Sequence, residues 1–292
     1  GPDLVVEVCR GGLIGTFPTL NCRSTEALVE WLEQIGERLA GVPDAAPYGA
    51  NLVVHRSNPR LAADLEAVVR HRVPLVITSL GAAPEVVAAV HDYGGLVFHD
   101  VISVRHAEKA LEAGVDGLIL VCAGAGGHAG MLSPFALVGE IRKFYDGPIA
   151  LSGAIAHGAS ILAAQAMGAD FAYMGTRFIA TRESNAQEAY KQMLIDCSAG
   201  DVVYTDAISG TNANFLWPSL SRLGHQREEL VQGIGKGKLK PLADEAKAWR
   251  DVWSAGHGVA TIHDVPPVRE LCERLASEYR AACALPPSPA LT

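Results

Sequence analysis

The stretch IALSGAIAHGASILAAQAMGADFAYMGTRF, residues 149–178, contains the pattern that decides the fold. Two short apolar runs, Ile149–Leu151 and Phe171–Met174, flank a helical pattern over Ala159–Met167 that ends at Gly168. A strand, a helix and a second strand in this order predict a βαβ unit with parallel strands. A glycine-containing turn follows each run, so we expect exposed backbone amides at the carboxyl end of both strands.

The same alternation extends upstream through the first 150 residues. Its apolar runs are continuous rather than alternating, which is typical of parallel strands buried on both faces. The seven predicted strands are Leu13–Phe17, Ala50–Val54, Leu75–Ser79, Leu96–His99, Gly117–Val121, Ile149–Leu151 and Phe171–Met174. The helical patterns upstream of residue 149 open at or after Ser24, Pro59, Pro84, Ser103 and Ser133, residue types that favour helix starts.

Seven strands are one fewer than a closed (β/α)8 TIM barrel needs. The chain opens instead with a helix-like stretch, Leu4–Cys9. We therefore predict an α/β fold, a (β/α)8 TIM barrel whose first strand lies upstream and is missing from this chain. An open, doubly wound sheet is the alternative, because it accounts for seven strands without a missing piece.

The pattern changes after residue 183. Helices are predicted near Ala186–Cys197 and Arg227–Val231, on either side of a loop-rich region, Asp201–Leu223. We also predict a flexible connection at Gly233–Lys240 and a helix at Leu242–Trp253. A C-terminal helix is predicted at Pro267–Ala282, followed by a disordered tail at Pro286–Thr292. We predict two parts: a barrel over residues 1–183, and a helical subdomain over residues 184–292 that covers one mouth of the barrel.

Composition narrows the range of partners. Apolar residues make up 49% of the 292 residues and charged residues 19%, which is typical of a chain with a large core. The net charge is −8 without a basic cluster, so we expect no nucleic-acid partner. No apolar run is long enough for a membrane span, and no secretory leader precedes the first helix. Six widely spaced cysteines without a C-x-x-C pattern favour a cytoplasmic protein, and a homo-oligomer remains possible.

Two turns after the last two predicted strands form a candidate phosphate site. They are Ser152-Gly153-Ala154 and Gly175-Thr176. In barrels of this class the loops after strands seven and eight commonly bind phosphate through exposed backbone N–H groups. The alternative is that both are simply tight strand-to-helix turns.

A glycine-rich loop after the strand Gly117–Val121 contains the candidate catalytic residue, His128. The loop reads CAGAGGHAG over residues 122–130, and Gly126 and Gly127 precede the histidine. An imidazole at the carboxyl end of a barrel strand can exchange protons near neutral pH. The alternative is a loop whose histidine faces solvent. No histidine pair stands at metal-ligand spacing, so we expect no metal.

Four motifs resemble one known family. They are GGHAG at residues 126–130, LSGAI at residues 151–155 and MGTRFIATRE at residues 174–183, together with WSAG at residues 253–256. These motifs resemble those of the nitronate monooxygenases, formerly called 2-nitropropane dioxygenases. The third motif also occurs in a broader group that includes flavin-dependent enoyl-acyl-carrier-protein reductases. The resemblance covers nearly the whole chain and implies a TIM barrel that binds FMN.

The resemblance also implies roles for individual residues. The FMN phosphate would be held by Gly153, Ala154, Gly175 and Thr176, with Ser152 beside it. Asn51 would contact the flavin, and Gly126 and Gly127 would run along it. His128 would act as a base toward a neutral nitroalkane or position the nitronate. The segment Trp253–Gly256 would lie near the cofactor or the site entrance.

The chain departs from the family pattern in three places. Ala154 stands where members often have glycine, and we expect its backbone N–H to preserve phosphate binding. His99 and Asp100 occupy the place where many members have a lysine near the flavin pyrimidine edge. A reduced flavin anion favours a positive neighbour, so Asp100 would change the electronics of the site. The third departure is that the family's first strand, which contacts the flavin, is missing from this chain.

The implied activity is FMN-dependent oxidation of alkyl nitronates by O2 to carbonyl compounds and nitrite. The partners would then be a nitronate or nitroalkane and O2. One alternative keeps FMN but uses NAD(P)H as donor and a quinone or an enoyl thioester as acceptor. A second alternative is a non-catalytic barrel that binds a phosphorylated ligand.

Overall fold

A computed structural model describes residues 1–232 and 252–285. Its strands in chain order are β1 Gly15–Pro18, β2 Tyr48–Val53, β3 Leu75–Ser79, β4 Leu96–Val101, β5 Gly117–Val121, β6 Gly127–His128, β7 Ile149–Ser152, β8 Phe171–Tyr173, β9 Val202–Thr205 and β10 Ala213–Leu216. A parallel sheet has the order β1-β2-β3-β4-β5-β7-β8, and an antiparallel sheet has the order β6-β10-β9. All seven strands expected of the barrel are present, with ends shifted by two residues at most.

Helices precede, separate and follow the strands of the parallel sheet. They are α1 Pro2–Arg10, α2 Thr25–Leu39, α3 Leu61–Arg70, α4 Pro84–His91, α5 Val104–Glu112, α6 Pro134–Ile141, α7 Gly158–Ala166 and α8 Thr176–Ile179. Ser24 and Ser103 cap α2 and α5, because their side chains accept hydrogen bonds from the amides of Ala27 and His106. Ser133 precedes α6 without a side-chain cap, and Pro134 occupies the first helical turn.

The parallel sheet curls into a barrel. Thr16 Oγ1 on β1 lies 3.2 Å from the hydroxyl of Tyr173 on β8, so the first and last strands of the sheet face each other across its interior. The fold is therefore a TIM barrel, and the open doubly wound sheet is excluded. Within residues 1–232 and 252–285, no strand pairs with the outer edge of β1 or β8.

Side chains that alternate along the strands fill the two sides of the sheet. The inward set includes Ile77, Ile119 and Ala150, packed with Phe98 and Tyr173. The outward set packs against the helices in two larger clusters. The barrel interior is thus largely apolar, and the polar side chains of Asn51, Ser79 and Asp100 lie toward the carboxyl ends of their strands.

The loop-rich prediction for Asp201–Leu223 is wrong. The region contains β9, β10 and a helix, α10 Trp217–Arg222. The β-branched and aromatic residues of Val202–Thr205 favour a strand, but a four-residue run gives a weak signal until a partner strand is known. The two strands pair with each other and, through β10, with the loop after β5.

Three helices beyond residue 183 agree with the sequence predictions. They are α9 Glu188–Asp196, α11 Arg227–Gln232 and α12 Val268–Cys283. The antiparallel sheet crosses the predicted boundary at residue 183, because β6 comes from the barrel and β9 and β10 come from the later part. The division into two parts stays a prediction. The predictions for Gly233–Lys240, for most of Leu242–Trp253 and for Pro286–Thr292 lie outside the described residues.

The C-terminal helix α12 packs against α7 and α1. Glu278 on α12 accepts a 2.8 Å hydrogen bond from the backbone N–H of Gly158 at the start of α7. Tyr279 of α12 donates a 2.6 Å hydrogen bond to Gln165 of α7. Helix α12 therefore lies beside the helices that precede the first and last strands of the parallel sheet. None of the described helices has the length and apolarity that crossing a bilayer requires.

Candidate active site

The two predicted phosphate-binding turns lie side by side, because β7 and β8 are paired with Ser152 opposite Tyr173. Gly153 has φ +144°, and Ala154 has φ +57°, a left-handed conformation that a side chain rarely adopts. The Ala154 N–H donates to the Gly124 carbonyl at 3.2 Å, so it is already engaged. Within the described residues, no acceptor receives the N–H of Gly153, Gly175 or Thr176.

This donor set fits a phosphate group. Three unengaged amides and the Thr176 hydroxyl come from two neighbouring strand ends, and a Cβ built on Gly175 would stand in open space. Backbone amides at such turns bind phosphate oxygens directly. Of the residues predicted to bind FMN phosphate, Gly153, Gly175 and Thr176 therefore have the required groups available. Ala154 instead joins its turn to the glycine-rich loop.

The segment after Trp253 closes over these turns. The Gly124 carbonyl accepts hydrogen bonds from Ala154 N and from His257 N, the latter at 2.9 Å. The Gly256 N–H donates to Thr176 Oγ1 at 2.9 Å. Three loops and the later segment therefore meet at one place, and the position of Trp253–Gly256 relative to the cofactor stays a prediction.

Two glycines allow this close contact. A Cβ on Gly256 would stand 2.4 Å from the Gly124 carbonyl oxygen, and one on Gly126 would stand 2.8 Å from the Gly256 nitrogen. No side chain fits at those distances, so glycine is required at both positions. Gly127 has φ +71° and open space beside it, which leaves the loop surface accessible at that point.

His128 belongs to β6, where it pairs with Ala213 of β10. Its Nε2 lies 3.4 Å from Ser209 Oγ, and the Ser209 hydroxyl is 2.9 Å from the Thr211 carbonyl oxygen, to which it donates. Since the one hydroxyl hydrogen is used on Thr211, the Ser209 oxygen accepts from Nε2–H of His128. Burial lowers the pKa of His128 from 6.5, so the ring is neutral at neutral pH.

Further hydrogen bonds fix the backbone around His128. Asn214, which is buried, donates from Nδ2 to the Ala125 carbonyl at 2.7 Å. The Tyr204 hydroxyl donates to the Ala129 carbonyl at 3.0 Å. The antiparallel sheet thus holds the glycine-rich loop on both sides of the histidine.

Asn51, predicted to contact the flavin, belongs to a polar cluster in the barrel interior. Its Nδ2 lies 2.7 Å from Ser79 Oγ and 3.5 Å from Asp100 Oδ2, and the Ser79 hydroxyl donates to the same Asp100 oxygen at 2.6 Å. The three residues come from consecutive strands, β2, β3 and β4. Asp100 therefore takes part directly in the surroundings of a predicted cofactor ligand.

The structure separates His99 from Asp100. Strand β4 continues to Val101, so the two neighbours point to opposite sides of the sheet. His99 is buried on the outer side with Nδ1 2.7 Å from Thr78 Oγ1, and burial lowers its pKa to about 4. It therefore supports packing between sheet and helices, whereas Asp100 faces the interior.

Sequence reasoning missed Ser79, Ser209 and Asn214. Ser79 ends a predicted strand on the same side as Ile77, so its inward direction was readable from the period of two. Nothing local distinguishes Ser209 or Asn214, because their partners lie more than 80 residues away along the chain. Among the described residues, no group of histidine, cysteine or acidic side chains is arranged to hold a metal ion.

Comparison with known proteins gives the family. The family model described as nitronate monooxygenase matches residues 24–278. A nitronate monooxygenase from Paraburkholderia phytofirmans is 31% identical over 211 residues, which cover 67% of this chain and 58% of that protein. A protein from Rhodococcus jostii is 26% identical over 246 residues, covering 83% of this chain and 67% of that protein. It is named (3aS,4S,5R,7aS)-5-hydroxy-7a-methyl-1-oxo-octahydro-1H-indene-4-carboxyl-CoA dehydrogenase. The chain spans 58% and 67% of these relatives' lengths.

A solved structure shares the fold. Nitroalkane oxidase from Streptomyces ansochromogenes superposes with a TM-score of 0.80 at 23% identity, covering 97% of this chain and 94% of that one. The likeness extends over the barrel and over the later part that holds the glycine-rich loop. The family match over most of the chain shows that this protein belongs to the nitronate monooxygenase family of FMN-dependent oxidoreductases.

Proposed function

We propose that this protein oxidises alkyl nitronates with O2 to carbonyl compounds and nitrite. The observation that supports it most is the fixed position of His128, which is held by β10 and Ser209. Its loop lies beside the two predicted phosphate-binding turns, residues 152–154 and 175–176. A neutral imidazole in that place can accept a proton from the carbon next to a nitro group. The family and its named nitronate monooxygenases support the same activity.

The residues of this chain then have separate tasks. Gly153, Gly175 and Thr176 would bind the FMN phosphate through their unengaged amides. Gly126 and Gly127 would keep the loop surface flat and close to the ring. His128 would take the proton from a neutral nitroalkane at a ring nitrogen and keep the resulting nitronate oriented. When bound, FMN supplies electron transfer and the reaction with O2.

The first test is anaerobic mixing of the FMN-loaded protein with a primary or secondary alkyl nitronate. We expect the visible flavin absorbance to bleach and, once O2 is admitted, nitrite to form together with the carbonyl product. A flavin that keeps its oxidised spectrum through many turnover times contradicts the proposed activity.

The role of His128 is tested by His128→Asn. If the imidazole removes a proton, kcat/KM should fall by two orders of magnitude or more with the neutral nitroalkane, the scale of general-base catalysis, and much less with the preformed nitronate. Equal losses with both substrates would instead indicate that His128 only positions the substrate.

A second candidate is a flavin-dependent oxidoreductase that acts on a thioester. The named CoA-thioester dehydrogenase from Rhodococcus jostii, which aligns with 83% of this chain, supports it. Donor chemistry separates the two candidates. Rapid flavin reduction by NADH or NADPH, followed by reoxidation with an enoyl thioester or a quinone, favours this candidate. No reduction by either nucleotide favours the monooxygenase.

A third candidate is a non-catalytic barrel that binds a phosphorylated ligand. The colour of the reconstituted protein tests this candidate. A protein that stays colourless holds no flavin and supports it, whereas a yellow protein contradicts it.

All six cysteines are free, five of them buried, which supports a reducing compartment and the proposed cytoplasmic location. A homo-oligomer stays a prediction.

A further inference from the structure

In the polar cluster of the barrel interior, two oxygens receive no donor from the described residues. Ser79 gives its hydroxyl hydrogen to Asp100 Oδ2, and Asn51 directs its amide hydrogens to Ser79 Oγ and to the same carboxyl oxygen. Within the described residues, no donor reaches Asp100 Oδ1 or Asn51 Oδ1. Asp100 Oδ2 is therefore fixed by residues of two neighbouring strands, whereas Oδ1 is available to a ligand in the barrel interior.

Among the residues that the structure describes, no positive charge balances Asp100. Inward residues below it are apolar, with Ile77, Phe98 and Ile119 in one cluster. Tyr173 approaches from β8 with its hydroxyl beside Thr16, and burial raises the pKa of that phenol to about 12, so it stays neutral. No cation in the described part of the chain forms an ion pair with Asp100.

The carboxyl is consequently easy to protonate. Burial raises the pKa of Asp100 to about 6, even though the hydrogen bonds from Ser79 and Asn51 act in the opposite direction. Near neutral pH a small change therefore converts Asp100 from an acid that donates a hydrogen bond into an anion that only accepts one. These two forms treat a ligand in the barrel interior in opposite ways.

We propose that Asp100 is a charge gate for the barrel interior: its neutral carboxyl donates from Oδ1 to an anionic oxygen of the bound ligand, and its ionised form repels that ligand. The ligand class is a planar oxyanion such as a nitronate, or an anionic ring oxygen of the cofactor. The proposal rests on the proposed function in placing such a ligand at this mouth of the barrel. His128 contributes a pH dependence of the same sign, because its ring loses a positive charge as the pH rises, and Asp100→Asn separates the two contributions.

The probe for the first source is inorganic nitrate, a planar oxyanion whose charge does not change between pH 5 and 8. Nitrate is titrated into the FMN-loaded protein at a series of pH values and binding is followed by the flavin spectrum. We expect the Kd to be constant at low pH and to rise about tenfold per pH unit above the Asp100 midpoint. A Kd that is independent of pH excludes an oxyanion as the ligand and leaves only the cofactor ring, which the flavin reduction potential tests.

Variants identify the group responsible. Asp100→Asn keeps the size and the neutral charge, so the rise of the nitrate Kd at the Asp100 midpoint should disappear. An unchanged slope excludes an oxyanion at Oδ1, and it overturns the proposal when the pH dependence of the flavin reduction potential is unchanged as well. Asp92→Asn removes an exposed acid outside the barrel and is the matched control for net charge, so its profile should follow the wild type. Ser79→Ala removes a donor to the ionised form, and the midpoint should move to higher pH.

Two further measurements keep the test independent of turnover. In the protein without FMN, the infrared band of a protonated carboxyl should titrate with the same midpoint and disappear in Asp100→Asn. If the cofactor ring is the anionic ligand, the pH dependence of the flavin reduction potential should change in Asp100→Asn while nitrate affinity keeps its wild-type slope. Bleaching by a nitronate tests the proposed activity separately, so failure of the gate and failure of that activity give different results.

Discussion

At the residue scale, the proton chemistry of the site depends on how the neighbours of His128 limit its ring. Ser209 is fully buried, and its oxygen can only accept from Nε2–H because its own hydrogen is donated to the Thr211 carbonyl. Such an acceptor favours the imidazolium more than the neutral ring, because hydrogen bonds to charged groups are stronger. Burial acts in the opposite direction and lowers the pKa of His128 below 6.5.

This balance predicts the behaviour of Ser209→Ala. In the wild type, kcat/KM for a neutral nitroalkane should rise with pH through a midpoint below 6.5, because the neutral ring is the base. In the variant the midpoint should move lower still by about half a unit, and kcat should fall by about tenfold, the scale of one lost hydrogen bond.

Thr181→Val is the control for this prediction, since Thr181 is also fully buried and its hydroxyl donates to the Phe178 carbonyl, outside the candidate site. Both variants should lose similar stability, about 1 kcal/mol. A midpoint that shifts equally in both variants, or in neither, contradicts the assigned role of Ser209.

At the element scale, the segment 253–257 can pack against the glycine-rich loop because two residues at the contact are glycines without a side chain. Gly256 and Gly126 approach within distances that exclude a Cβ, and this contact brings the Gly256 and His257 amides to Thr176 and Gly124. The loop after β5, the turn after β8 and the later segment are therefore one packed unit. The conformation of each depends on the other two.

Gly256→Ala should separate these elements. The new methyl group would overlap the Gly124 carbonyl, so the segment must move and its two amide hydrogen bonds are lost. We expect FMN affinity to fall at least tenfold and the free energy of unfolding to fall by about 2 kcal/mol.

Gly139→Ala is the matched control. Gly139 lies in α6 with no atom near its Cβ position, so alanine should stabilise the protein by about 0.5–1 kcal/mol and leave FMN affinity unchanged. Fluorescence titration with FMN and chemical denaturation measure both quantities. A Gly256→Ala protein that binds FMN as the wild type does would show that the contact is not needed.

At the scale of the whole molecule, a buried arginine joins the end of the barrel to the C-terminal helix. Arg177 is 3% exposed, donates to Asp264 Oδ1 at 2.7 Å and also reaches the Asp264 carbonyl at 3.2 Å. Arg274 on α12 forms a second 2.7 Å ion pair with Asp264. The hydrogen bond from Arg274 and the nearby Arg177 hold the pKa of Asp264 below 3.8, although its partial burial acts in the other direction.

Arg177→Met should therefore destabilise the whole molecule. Removing one partner of a buried ion pair costs about 3–5 kcal/mol, but Asp264 keeps Arg274 and its side chain is 42% exposed, so we expect about 2 kcal/mol. Arg269→Met removes an exposed pair with Glu273 on the same helix and should change stability by less than about 0.5 kcal/mol. Equal effects of the two substitutions in denaturant unfolding would show that Arg177 is not a structural tie.

Local sequence patterns determined the elements of this protein. Apolar runs, capping serines and glycines after strands predicted the seven barrel strands and their helices, because hydrogen bonding and burial within a strand or helix depend on residues close in sequence. The turns at residues 152–154 and 175–176 were predictable for the same reason, as was the loop that contains His128. The strands Val202–Thr205 and Ala213–Leu216 were missed because their stability comes from pairing, and the partner β6 is two residues long.

Only the tertiary structure decided which of these residues act together. The contacts of Gly124 with Ala154 and His257, of His128 with Ser209, and of Asp100 with Asn51 and Ser79 join residues that are 21 to 133 positions apart. No periodicity encodes such contacts, because they arise when parallel strands bring their carboxyl ends to one edge. The inward direction of Asp100 and the outward direction of His99 followed only from the observed end of β4.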